Sequence, residues 1–131
     1  MTKIALVALG SALGGLSRWG MTVGAARLLG TAFPWGTLSI NFLGSFSLGW
    51  LMTVLSERLT ANGWGWLRPD DLRLLVAVGF TGAFTTFSTF EYEAHGLFRD
   101  GNSFAGLVYL IGSVTLGLTA VHFGMILARS G

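Results

Sequence analysis

Apolar residues fall into four long runs, divided by short stretches where Gly, Pro, Asn and charged residues collect. Two runs are free of formal charge: positions 28–56 and 101–128 hold no Asp, Glu, Lys or Arg. A helix rising 1.5 Å per residue crosses the hydrocarbon layer in roughly 20 mostly apolar residues, and both windows exceed that length. Positions 4–17 form a third run ending at Arg18, and 74–90 a fourth ending at Glu91. Each lengthens where the adjoining charge faces protein or snorkels toward the headgroups. The pattern predicts an all-α integral membrane protein with one domain over 1–131. Its four transmembrane helices are expected at about 4–28, 37–57, 70–98 and 103–128.

The connections carry matching signals. Gly30 and Pro34 interrupt the first, and Asp100-Gly101-Asn102-Ser103 makes the last turn. In the middle, Asn62-Gly63-Trp64-Gly65-Trp66-Leu67-Arg68-Pro69 combines turn residues with two tryptophans suited to the headgroup level. Pro69 followed by Asp70 and Asp71 suits a helix start, where a fixed φ and early carboxylates complement exposed N–H groups. The opening Met-Thr-Lys, Ile4 to Leu9 and small Ser11 and Ala12 also fit a secretory signal peptide. The continuation through Gly10, Gly14, Gly15, Gly20 and Gly24 instead reads as a helix built for close packing, and a first span is the reading adopted.

Charge refines the topology. Four spans put both termini on one side with Lys3, Arg58, Arg68, Arg73 and Arg129, against Arg27 and Arg99 on the other and Arg18 near the end of helix 1. The bias gives cytoplasmic termini by the positive-inside rule, yet it is small enough to allow insertion in both orientations. Four short helices are also too few to enclose a polar path, so association is expected, most economically as a two-fold dimer. Gly10 with Gly14, Gly20 with Gly24, and Ser45 with Gly49 place small residues four apart, where helix backbones can approach within or between protomers.

Composition excludes several classes. Apolar residues make up 52% and charged residues 11% of the 131 positions, about half the charged share of a soluble domain. No cysteine is present, so disulfides and thiolate metal sites do not arise. No dense basic patch of the kind nucleic acid requires is seen. A Gly-x-x-x-x-Gly-Lys phosphate loop and a Ser, His and Asp catalytic set are likewise missing, so no enzyme activity is expected. His95 and His122 stand apart from one another and read as structural.

The chemistry concentrates in Gly79-Phe80-Thr81-Gly82-Ala83-Phe84-Thr85-Thr86-Phe87-Ser88-Thr89-Phe90. Gly82, Thr85 and Thr86 are poor helix formers, and neighbouring hydroxyls offer local bonds that compete with the helical ladder. Two readings follow. In one the helix breaks near 82–86, and the break must be buried in protein or line a polar cavity, because bare backbone cannot face lipid. In the other the helix continues, with Ser and Thr bonded to carbonyls one turn back. Freed carbonyls at a break would present the partial negative charge that a small hard cation such as Na⁺ needs.

Around this segment, Phe87 and Phe90 are three apart on one helical face, and Thr86, Phe90 and Glu93 follow the i, i+4, i+7 series. A ring has a partially positive edge, so Phe turned edge-on can meet an anion, although Phe at helical spacing commonly packs. Asn41 is the sole Asn or Gln in the 28–56 window. Its amide either bonds a neighbouring helix or offers donors to a polar path. Tyr109 and Ser113 lie four apart on one face of helix 4, and with Ser88 and Thr89 they can form a track of hydroxyls.

Trp35-Gly36-Thr37-Leu38 with Asn41, Gly44 and Gly49, the run from Gly79 to Phe90, Gly14 and Arg18 upstream, and Tyr109 and Ser113 downstream together resemble the Fluc-type (CrcB) fluoride channels, throughout the chain. The resemblance implies an antiparallel dual-topology homodimer in the bacterial inner membrane, with helix 3 broken and a structural Na⁺ at the dimer centre. Gly82 and Thr85 would supply backbone carbonyls to that ion. Asn41 would be a pore donor, and Phe87 and Phe90 the edge-on pair. Ser88, Thr89, Tyr109, Ser113 and Glu93 would join the polar pathway, with Arg18 near the aqueous vestibule. Function is then passive, selective fluoride export that lowers fluoride toxicity.

Ala83 replaces a second glycine common in such relatives, and Gly117 stands where a hydroxyl is expected one turn beyond Ser113. Gly117 leaves the lower end of the helix 4 track without a side-chain donor. Glu91 is a second carboxylate beside Glu93 with no role assigned. The main alternative is a small dual-topology, proton-coupled multidrug exporter, whose carboxylate should lie in helix 1. Positions 4–28 contain no Asp or Glu. A non-transporting scaffold is a third reading, and it would tolerate Asn41→Leu.

Overall fold

A computed structural model describes residues 2–59 and 68–130. Every regular element among them is helical: α1 (Thr2–Leu29), α2 (Trp35–Glu57), α3 (Pro69–Leu72), a π-wound stretch Arg73–Thr81, α4 (Gly82–Phe84), α5 (Phe87–Arg99) and α6 (Ser103–Ser130). The elements from α3 to α5 form one interrupted span, Pro69–Arg99, so four spans are long and apolar enough to cross a membrane. The expected ends differ from these by no more than two residues. The double-tryptophan turn read at 62–67 lies outside the described residues.

Two connections close as their residues require. Gly30, directly after α1, and Gly101, between α5 and α6, both take φ 81°, a left-handed conformation that costs glycine nothing. The Gly30 N–H still reaches the Ala26 carbonyl at 3.1 Å, and Asn102 N–H reaches Leu97 at 2.9 Å, so orphan carbonyls at both helix ends find donors.

The spans pair through glycine. A Cβ on Gly10 would overlap the Leu75 carbonyl and one on Gly14 the Phe80 carbonyl, so α1 lies backbone to backbone along the π-wound stretch. Gly79 faces back, since its Cβ would stand 2.8 Å from the Val7 carbonyl. On the other side α2 meets α6: Gly49 abuts the backbone of Val121, and Gly124 that of Phe46 and Trp50. In both pairs residue numbers rise together, so each is a parallel pair, as alternate spans of an up-and-down bundle must be. Of the small-residue pairs in the sequence, Gly10 with Gly14 and Ser45 with Gly49 pack within the chain. Gly20 and Gly24 have open space where a Cβ would go.

The outer surface suits lipid. Leu28, Leu118 and Trp19 are 84%, 69% and 68% exposed, with many further large apolar side chains around them. The buried cluster is small, with Phe90, Ala94 and Tyr109 at its centre and Phe33, Leu38 and Leu97 packed against it. It lies directly behind the interruption in the third span.

The interruption is sharper than the expected 82–86. Gly82 to Phe84 stay helical, and only Thr85 (φ −80°, ψ 161°) and Thr86 (φ −153°, ψ 121°) are extended. Two extended residues suffice, because Thr86 caps the next helix. The π winding that precedes them has no counterpart in the sequence reading. Bonds that reach one residue further than in an α-helix, such as Gly82 N–H to the Ala77 carbonyl, loosen the turn just before it ends.

Candidate ion pathway at the helix break

Breaking a helix leaves amides and carbonyls to be satisfied, and Asn41 meets that need. From half-buried α2 its Nδ2 donates to the Thr86 carbonyl at 3.0 Å, while its Oδ1 accepts the Thr86 N–H at 2.9 Å. One side-chain amide thus replaces both backbone partners of a single residue. The Thr86 hydroxyl accepts the Thr89 N–H at 3.3 Å and donates to Thr89 Oγ1 at 3.0 Å, capping α5. Thr85 turns back, its N–H and hydroxyl donating to the Thr81 carbonyl at 3.0 and 2.9 Å.

These bonds redirect two amides. In an uninterrupted α-helix the Thr86 N–H would go to the Gly82 carbonyl, and the Thr89 N–H to the Thr85 carbonyl. Here the first goes to Asn41 and the second to the Thr86 hydroxyl. The carbonyls of Gly82 and Thr85, the pair expected to face a cation, are therefore both released from those partners. Arg18, expected near the aqueous vestibule, reaches the break, its Nη1 donating to the Thr85 carbonyl at 3.4 Å.

The two phenylalanines part company. Their ring centroids are 6.0 Å apart with planes tilted by 45°, but Phe87 is 70% exposed and Phe90 only 6%. Phe90 packs against the Tyr109 ring at 5.2 Å, and Tyr109 in turn meets Phe33 edge to face at 5.4 Å. Ser88 and Thr89 are exposed beside Phe87. Asn41, Thr81, Thr85, Thr86 and Phe87 line a groove of about 220 Å³ that opens on the outside of the chain. The side facing away from the bundle carries the polar chemistry, so a single chain leaves it unenclosed.

Glu93 is the second focus. Its half-buried carboxylate accepts from Thr37 Oγ1 at 3.0 Å and from Tyr109 OH at 2.7 Å, one donor on each oxygen. Tyr109 and Thr37 are almost wholly buried, which fixes the carboxylate between α2 and α6. A second cavity of about 410 Å³, bounded by Thr22, Pro34, Thr37, Glu93 and Asp100 among others, opens beside it. One turn along α6 from Tyr109, the Ser113 hydroxyl is buried with no hydrogen-bond partner among the described residues. Glu91 is exposed and shares none of these bonds.

The residues singled out in the sequence therefore form two groups. Asn41, Arg18, Thr85, Gly82 and Phe87 gather at the break, while Glu93, Tyr109 and Phe90 gather behind it, with Ser113 between the helices. The sequence reading named Thr37 and Thr86 but assigned neither a role in the site. Thr37 precedes Asn41 by four residues, so helical spacing already put the two on one face. Thr86 immediately precedes α5, with its hydroxyl three residues before an amide, the ordinary N-cap arrangement.

Comparison with known proteins gives the family. The family model described as "CrcB-like protein, Camphor Resistance (CrcB)" matches residues 5–125. The "Fluoride-specific ion channel FluC" of Chloroflexus aurantiacus (strain ATCC 29366 / DSM 635 / J-10-fl) is 43% identical over 129 residues, covering 98% of this chain and 97% of that protein. The protein of the same name from Solibacter usitatus (strain Ellin6076) is 42% identical over 127 residues, 97% of this chain and 98% of its own. That of Rhizobium etli (strain CIAT 652) is 41% identical over 130 residues, 99% and 98%. Since both the family model and these relatives extend through all four spans, the break included, this multi-pass membrane chain belongs to the CrcB family.

Proposed function

We propose that this chain forms a passive, selective fluoride channel that exports fluoride from the bacterial cytoplasm across the inner membrane and so lowers its toxicity. The observation that carries the reading is the Asn41-stabilised break, which sets hydroxyls, an amide and the Phe87 ring around a groove on an otherwise apolar surface. Fluoride is small, tightly hydrated and a strong acceptor, so a path must replace its water with fixed donors without holding the ion too firmly. Asn41 keeps one amide hydrogen beyond the one given to Thr86, and Ser88, Thr89 and Ser113 offer hydroxyls, while the Tyr109 hydroxyl is committed to Glu93. The edge of the exposed Phe87 adds weak positive potential without a full charge that would trap the anion, while Phe90, buried against Tyr109, backs it. HF enters a cell as a neutral acid and dissociates inside, and the anion then leaves down its electrochemical gradient.

The working unit is an antiparallel, dual-topology homodimer. A groove that opens outward on one chain becomes a path when a second copy covers it, and the weak charge bias between the two sides permits both orientations. Relatives that cover 98% and 97% of the chain are named as fluoride-specific channels, which supports the ion assigned. Because both oxygens of Glu93 are held by internal donors, the carboxylate is a poor site for the proton-coupled drug exchange of the alternative reading.

A structural Na⁺ fits the residues at the break. Gly82 and Thr85 present carbonyls released from the helical ladder, and hard oxygen donors are what such an ion takes. Bound there, Na⁺ would supply a fixed positive charge that ties the interrupted spans together. Arg18 donates to the Thr85 carbonyl at 3.4 Å, and a carbonyl oxygen has a second lone pair that could meet the ion.

The test is transport. The purified protein in fluoride-loaded liposomes should release fluoride rapidly once a potassium ionophore clamps the voltage, while chloride-loaded liposomes stay full. Silence from correctly inserted protein would sink the reading.

A further inference from the structure

The pairing of α2 with α6 keeps one register along its length. Glu57 and Arg129, an ion pair at one end, lie 72 positions apart. The same offset relates Gly49 to Val121, and Thr37 to Tyr109, the two donors that share Glu93. It sets Asn41 level with Ser113, and Ser45 level with Gly117, where a Cβ on the glycine would stand 3.7 Å from Ser45 Oγ.

Thr37, Asn41 and Ser45 follow one another at four-residue spacing on α2, as do Tyr109, Ser113 and Gly117 on α6. The seam is therefore a ladder. Its first two rungs carry a polar side chain from each helix, and at the third α6 contributes none. Ser45 is half-buried and lines the same 220 Å³ groove as Asn41, Thr81, Thr85, Thr86 and Phe87. Thr53 and Thr119 fold their hydroxyls back onto the carbonyls of Gly49 and Thr115 at 2.8 Å each, whereas the Ser45 hydroxyl takes no hydrogen bond among the described residues. A rotatable O–H that lines the groove and has no fixed acceptor is free to donate to an ion.

We propose that Ser45 is a donor in the fluoride pathway, supplying from α2 the hydroxyl that α6 lacks at Gly117. This rests on the channel reading above. The side chain serves by orientation: its O–H turns toward the passing anion, in a charge-assisted bond, and turns away as the ion moves on. Gly117 leaves the space into which that hydroxyl is presented.

Fluoride efflux from liposomes, measured for wild type, Ser45→Ala, Ser45→Cys and the double variant Ser45→Ala with Gly117→Ser, tests this. Loss of one charge-assisted donor should slow Ser45→Ala about tenfold. Ser45→Cys keeps nearly the size of serine but donates weakly, so it should also be slow, which covers the case in which alanine disturbs folding. The double variant should regain most of the wild-type rate, because the hydroxyl returns on the opposite helix at a position with room for it. Wild-type rates in the alanine or the cysteine variant would overturn the assignment, as would a double variant that inserts normally and stays slow. A wild type that releases no fluoride would instead remove the channel reading itself.

Discussion

The two helix seams of this chain use the same device to opposite ends. Along α1 and the π-wound stretch, Gly10, Gly14 and Gly79 bring two backbones into direct contact. Along α2 and α6, Gly49 and Gly124 close the lower half in the same way, but the upper half holds Thr37, Asn41 and Ser45 across from Tyr109, Ser113 and Gly117. In lipid there is no hydrophobic drive to pair helices, so close packing has to hold both seams. What differs is the residue at each fourth position. Glycine at the contacts makes a close joint, and a polar residue there makes a joint that can meet an ion.

Asn41→Leu is the change expected to act most strongly on the polar seam. It strips both bonds from the Thr86 backbone, and each buried group left unpaired costs about 1–3 kcal/mol. Fluoride efflux should vanish and thermal stability in detergent should fall. Normal efflux from Asn41→Leu would show that the break holds without its amide.

Gly14→Ala probes the close seam. The added methyl meets the Phe80 carbonyl, a backbone atom that cannot step aside, so a loss of about 1–3 kcal/mol is expected. Gly20→Ala and Gly24→Ala have open space within the chain and should leave its fold unchanged. Unfolding in denaturant after reconstitution reads both. If the Gly20 or Gly24 change instead disrupts the dimer, that open face of α1 belongs to the contact between copies.

A smaller effect is expected at Tyr109→Phe, which removes the 2.7 Å bond to Glu93 and leaves the ring packing in place. Stability should drop by about 1 kcal/mol, and efflux should slow more than that loss explains if Glu93 must be held still. Efflux and melting temperature measured on the same preparation separate the two contributions. Least of all should follow from Arg129→Ala. Its pair with Glu57 sits exposed at the end of the polar seam, where solvent weakens such contacts, so neither stability nor efflux should change measurably.

Much of this was legible in the linear pattern. Charge-free windows fixed α2 and α6 as spans, because a charge in hydrocarbon is costly enough for its absence to be informative. Gly82, Thr85 and Thr86 marked the weak stretch, since they are poor helix formers beside competing hydroxyls, but a continuous helix stayed open and Gly82 is in fact helical. Asn41 was conspicuous as the lone amide in an apolar run, yet its two readings, neighbouring-helix bond or free donor, were not separable by composition. Tertiary structure shows that it bonds backbone, in both directions, at a position 45 residues away.

The sequence by itself determined the number of spans, the segment where the third is weakest as a helix, and the kinds of group present there. These follow from local properties: apolar length, helix propensity, and the spacing of four that defines a helical face. Only the tertiary structure decided which groups meet. The π winding before Thr85, the placing of Arg18 on the break, the sharing of Glu93 by Thr37 and Tyr109, and the setting of Ser45 against Gly117 all depend on the register between separate helices. That register is set where glycines let backbones touch, and no single helix carries it.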